Sequence, residues 1–156
     1  MLGFMAGRKI FTMNEHSLER FTDAQNNKEY GSYESALNEI KNGRKRTHWI
    51  WYIFPQLKGL GHSFNANFYG IDDIHEAREY LAHPVLGARL KEITQALLNL
   101  NENDPVKIMG SIDSMKLKSC MTLFAHVSEN DSVFHQALAK FFNGETDEKT
   151  IRLPEG

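Results

Sequence analysis

Apolar residues recur at helical spacing along most of the chain, while the alternation expected of half-buried strands is nearly absent. Tyr33, Ala36, Leu37 and Ile40 fall at i, i+3, i+4 and i+7 behind Ser32, a good N-cap, and Gly43 lies just past the end. This spacing predicts a helix. A helix capped by Asn14 or Ser17 runs to Gln25 before it, with Leu18, Phe21 and Ala24 facing inward. Asp72 or Asp73 caps another through Leu81, and Pro84 suits the first turn of the next. In that next helix Val85, Leu86, Leu90, Ile93, Leu97 and Leu100 keep the helical period. Gly87 inside it costs propensity and permits a close helix contact. Asp104-Pro105 starts a short helix ending at Gly110. Asp113 or Ser114 opens another, with Leu117, Cys120, Met121 and Phe124 on one face. Asp131 caps a last long helix carrying Phe134, Leu138, Phe141 and Phe142, closed by Gly144.

Residues 47–54 (THWIWYIF) form a continuous apolar run that suits either a buried strand or a buried helix. A strand needs partners, and only residues 9–12 and 150–153 look strand-like elsewhere. A buried helix ended by Pro55 is therefore favoured. A loop follows over residues 56–63, marked by Gly59 and Gly61, and then a short turn near Asn65–Tyr69. The expectation is an all-α fold, a compact single-domain orthogonal bundle of about six to eight helices. It should span residues 14–156, with residues 1–13 as an N-terminal extension and a candidate for disorder. Met13 serves equally well as the natural start.

The composition supports a packed domain. With 41% hydrophobic and 24% charged residues in 156, the chain sits close to globular averages and away from disordered or fibrous classes. A net charge of −2 argues against a dedicated duplex-DNA binder, which needs a broad excess of Lys and Arg, but it leaves room for a local basic pocket. Cys120 is the single cysteine, which fits a reducing, cytoplasmic compartment. Arg8 and Lys9 sit in the middle of the N-terminal segment, the wrong layout for a secretory signal. No apolar run approaches the roughly 18 residues needed to span a bilayer, so no membrane partner is expected.

One stretch concentrates candidate chemistry. Residues 43–63 read GRKRTHWIWYIFPQLKGLGHS, with Arg44, Lys45, Arg46 and His48 directly before Trp49, Trp51, Tyr52 and Phe54. Guanidinium groups grip phosphate or carboxylate through paired hydrogen bonds, and aromatic faces stack flat rings. Gln56 and the Gly59–Gly61 turn complete a candidate pocket, to which Ser63, Lys116 and Ser119 are added as ligand-binding candidates. His48 and His83 are the acid–base candidates, because histidine titrates near neutral pH. The simpler reading makes the aromatics core, the basic run a solvated helix end, and His83 a helix terminator meeting free carbonyls.

His75, Glu76 and Glu79 resemble a zinc-protease helix with its second histidine replaced. A third ligand is not evident, and surface ion pairing explains them more simply. Cys120 reads as a small core residue. Gly59-x-Gly61 lacks the strand and third glycine of a dinucleotide fold. Neither a P-loop nor a Gly-x-Ser-x-Gly elbow occurs. No metal and no cofactor are expected.

The strings RKRTHWIWYIFPQLKGLGHS, EAREYLAHPVLGARL and KLKSCMTLFAHV resemble the bacterial family catalogued as domain of unknown function 1810, some of whose members carry the automatic label calpastatin-like. The likeness runs from about Leu18 to Arg152. It covers Lys45, His48, Trp49, Trp51, Pro55, Gln56, Gly59, Gly61, Ser63, His83, Pro84, Gly87, Lys116 and Ser119. Cys120 stands where serine is usual in the family. The resemblance implies a compact helical fold and carries no catalytic assignment. The calpastatin label does not suit a chain patterned for a dense core.

Three functions compete. The first, slightly favoured, is a site for a small anionic or nucleotide-like ligand, with or without catalysis. The second is a protein-interaction module, including a homo-oligomer, because Trp and Arg are enriched at contact hot spots. The third is a single-stranded nucleic-acid binder using the same basic–aromatic mix, disfavoured by the acidic balance.

Overall fold

The structure, a computed structural model, describes residues 17–152. Its described residues form ten helices and no strand. In chain order they are α1 (Glu19–Asn26), α2 (Tyr33–Lys41), α3 (Ile50–Ile53), α4 (Phe64–Phe68), α5 (Ile74–Ala82), α6 (Leu86–Leu98), α7 (Pro105–Met109), α8 (Ser111–His126), α9 (Val133–Phe142) and α10 (Glu148–Arg152). The expectation of an all-α fold is met, with slightly more helices than the spacing suggested. None is long and apolar enough to cross a membrane. The strand-like look of residues 150–153 gives way to α10, whose Thr150 is tied to Asp147. Residues 9–12 lie outside the described part.

Helix α8 is the axis of the bundle, with α3, α5, α7, α9 and α10 against it. The C-terminal half of α8 is surrounded on every side, with Leu117, Cys120, Met121, Leu123, Phe124 and Ala125 all buried. Its buried hydroxyls turn back to the helix itself. Ser114 donates to Ser111 O at 2.9 Å, Ser119 to Met115 O at 3.2 Å and Thr122 to Lys118 O at 2.8 Å. Helix α6 forms the second layer, packed against α2, α5 and α9. Its apolar face is Leu86, Leu90, Ile93 and Leu97. Gly87 lets α6 pass α5 closely, since a Cβ there would stand 2.0 Å from Leu81 O.

Several boundaries differ from those predicted. Ser32, Asp73 and Asp104 cap their helices as read, each accepting a first-turn N–H. The last long helix is capped by Ser132 instead, whose Oγ accepts His135 N–H, while Asp131 makes a left-handed turn with φ 64°. Helix α8 begins at Ser111, directly after Gly110, so Asp113 lies within its first turn. Only Ile50–Ile53 of the apolar run is helical, because Thr47 and the Trp49 indole are held outside the helix by Glu39. His83 ends α5 as read, its backbone N–H donating to Tyr80 O at 3.2 Å, but its imidazole serves the next helix. Its Nδ1 accepts the N–H groups of Val85 and Leu86, each at 3.1 Å, and so caps the start of α6.

A buried ion pair fastens α1. Arg20 forks onto Glu76 at 3.1 and 3.2 Å and also donates to the carbonyls of Ser17, Phe68 and Gly70. Every donor is satisfied, as a buried guanidinium requires. The pair thus locks α1, α4 and α5 in one arrangement.

Candidate functional site

The basic–aromatic stretch is built around a carboxylate that the sequence reading did not single out. Glu39 on α2 accepts the N–H groups of Arg46 and Thr47 at 2.6 and 3.0 Å, the Thr47 hydroxyl at 2.6 Å and the Trp49 indole at 3.0 Å. Burial pushes its carboxyl up, but these hydrogen bonds outweigh that and hold it below the usual carboxylate range. On the other side, Lys45 N–H donates to Ile108 O at 2.7 Å and the Arg44 guanidinium to Lys107 O at 3.1 Å. The segment is pinned between α2 and α7.

The Lys45 ammonium turns inward. It lies 2.8 Å from Asp113 and 4.9 Å from the Trp49 ring centre, and its side chain is 6% exposed. Lys116 reaches the other oxygen of Asp113 at 3.7 Å and lies 5.2 Å from the Trp51 ring. The structure therefore brings Lys45, Trp49, Trp51 and Lys116 together around Asp113. Both ammoniums are partly neutralised by that carboxylate. Arg46 and His48 are exposed, with no side-chain partner among the described residues.

The remaining candidates are placed apart from this cluster or used locally. Trp49 is fully buried, while Trp51 is half-buried. Trp51 and Gln56 line a hollow of about 10 Å³ with Asn65, Ala66, Tyr69 and Gly70. That is barely room for one water. Ser63 Oγ accepts Ala66 N–H at 3.1 Å and caps α4. Ser119 is buried in α8. Burial pushes the Cys120 thiol well above its ordinary range, away from nucleophile behaviour. His75 and Glu79 are exposed and 3.6 Å apart, and Glu76 is committed to Arg20. Among the described residues no three His, Cys, Asp or Glu converge as a metal site.

A more enclosed cleft opens beside this stretch. Gln25, Asn26, Lys28, Ser32, Tyr33, Glu34 and Arg89 line about 190 Å³ between the α1–α2 loop and α6. Buried Gln25 donates to Tyr52 O at 2.9 Å and to the Tyr80 hydroxyl at 3.2 Å, and its carbonyl accepts Arg89 Nη1 at 3.1 Å. Arg89 lies 5.1 Å from the Tyr33 ring, whose hydroxyl donates to Glu92 at 2.6 Å. Burial, reinforced by Glu92, raises the Tyr33 phenol well above its ordinary range, so it stays protonated.

The loop wall of the cleft is held by the aromatic stretch. Tyr52 donates to Tyr30 O at 2.7 Å and to Gly31 O at 2.9 Å, with its phenol pushed up to about 12 by burial. Gly31 has φ 75°, and a Cβ there would meet the Tyr52 hydroxyl at 3.0 Å. Sequence reasoning placed Gln25 at a helix end and passed over Arg89. The available signal was an arginine set directly beside Leu90, within the apolar repeat of α6. A broader groove of about 780 Å³ runs along α6 and residues 128–134, and a hollow of about 400 Å³ adjoins His126 and His135.

No curated protein matches this chain. Among solved structures it is similar to the crystal structure of the conserved hypothetical protein Rv1873 from Mycobacterium tuberculosis, at 42% identity and a TM-score of 0.81, covering 86% of this chain and 93% of that one. Residues 15–153 match the family described as Protein of unknown function (DUF1810), so the chain belongs to that family.

Proposed function

We propose that this domain binds a small anionic molecule in the cleft between the α1–α2 loop and α6. The observation that carries this reading is the Arg89 guanidinium. It offers five N–H donors, of which one meets Gln25, and no carboxylate pairs with it among the described residues. A cation fixed by a buried amide and an aromatic face, opening on an enclosed polar cleft, is preorganised for an oxyanion. Lys28 at the rim adds positive charge. The volume of about 190 Å³ suits a molecule smaller than a nucleotide, since drug-sized ligands occupy about 300–1,000 Å³. The basic–aromatic stretch contributes through Tyr52, which holds one wall.

Isothermal titration with inorganic phosphate and small carboxylates tests this. Binding should weaken at least tenfold in Arg89→Met while circular dichroism stays unchanged. Equal affinity in wild type and variant would remove the proposal.

A second reading, a macromolecular contact, is favoured by a separate observation. Ile112 and Met115 are 70% and 71% exposed one turn apart on α8, beside Lys116. If this face mediates self-association, light scattering should show an oligomer that Met115→Glu disperses. A monomer at all concentrations would limit the idea to a foreign partner.

A further inference from the structure

We infer that the cleft takes a small acidic zwitterion, an acidic amino acid or an aminoalkyl phosphate, with its anionic groups on Arg89 and Lys28 and its ammonium on Glu34. This rests on the cleft being a ligand site, as proposed above. The new observation is Glu34. It lines the same 190 Å³ as Arg89, and neither makes an ion pair among the described residues. Two opposite charges line one small cleft without pairing with each other, Glu34 at its exposed rim and Arg89 half-buried, so neither neutralises the other. A single molecule with an anion at one end and a cation at the other completes both.

Charge and size narrow the class. Arg89 and Lys28 against Glu34 leave one net positive charge on the lining, so the complementary molecule carries two negative groups and one positive. The volume of about 190 Å³ suits a compact ligand. Ser32 and Asn26 add neutral hydrogen-bonding groups to the walls. Glu92, the other nearby acid, is engaged by the Tyr33 hydroxyl and lines the separate groove along α6.

The test is a titration series on the full chain with glutamate, phosphoethanolamine, glutarate, inorganic phosphate and putrescine. It is repeated in Glu34→Gln and Arg89→Met, each checked for an unchanged circular dichroism spectrum. Glutamate or phosphoethanolamine should bind at least tenfold more tightly than glutarate or phosphate, and putrescine should not bind. Glu34→Gln should erase that preference without weakening glutarate. Arg89→Met should lose every anion. Anions that bind through Arg89 with no preference for the ammonium, or a preference that survives Glu34→Gln, would overturn the zwitterion inference and leave the anion site standing. No binding by any probe, or binding indifferent to Arg89→Met, would overturn both.

Discussion

The Trp49 indole donates to Glu39 across 3.0 Å, so the one fully buried tryptophan finds its polar partner on a neighbouring helix. The same oxygen takes the N–H groups of Arg46 and Thr47. Glu39→Ala would leave these donors unmet and should cost about 2 kcal/mol, read as a lowered urea midpoint. The pH dependence has a definite sign. Because the folded carboxyl lies below its ordinary value of 4.5, its contribution is present above that pH and is lost as pH falls through the folded value. Wild type should therefore lose stability on acidification below about pH 4.5 more steeply than Glu39→Gln. Parallel curves for the two proteins would show that the carboxylate charge is idle.

Gly87 carries the contact between α5 and α6. Alanine there would force its methyl onto Leu81 O, 2.0 Å from the ideal Cβ position, so the helices must part. The expected loss is about 3 kcal/mol, the upper range for overpacking. Calorimetry should show a melting point lower by several degrees, and a neutral Gly87→Ala would mean that α5 yields freely.

His83 should behave as a cap. Removing its Nδ1 in His83→Ala strips the acceptor from Val85 and Leu86, for a loss of about 1 kcal/mol, while His83→Asn should restore most of it. Denaturant melts of the three proteins decide this. If His83→Ala is fully stable, the imidazole serves something other than the helix start.

The Arg20–Glu76 pair predicts an asymmetry. Arg20 also serves three carbonyls, whereas Glu76 accepts only from Arg20 and from Asp72 N–H. Arg20→Met should thus cost about 3–5 kcal/mol, and Glu76→Gln distinctly less, because the amide oxygen can still accept. Equal losses would place the whole effect in the charge pair.

Much of the fold was legible because its signals are local. Ser32, Asp73 and Asp104 each sit one residue from the helix they cap, and the apolar spacing of α6 is readable over Leu86–Leu97. The start misplaced at Asp131 arose where Asp131 and Ser132 compete to cap, and that at Asp113 because α8 follows Gly110 with no side-chain cap to mark it. The site was less legible. A basic residue beside a tryptophan does not disclose that Lys45 turns inward onto Asp113, a partner 68 positions away. Periodicity equally hides Gln25 and Arg89, whose contact joins the end of α1 to the first turns of α6.

That contact has a consequence for synthesis. Gln25 waits 64 residues for Arg89, and Arg20 waits 56 for Glu76. At about 5–20 residues per second, roughly 3–13 s separate the emergence of Gln25 from that of its partner. During that interval α1 has its polar groups facing water and Phe21 without its Tyr80 neighbour. The nascent chain thus gains little by ordering α1 early, and a helix made well before its partners is one that closes late.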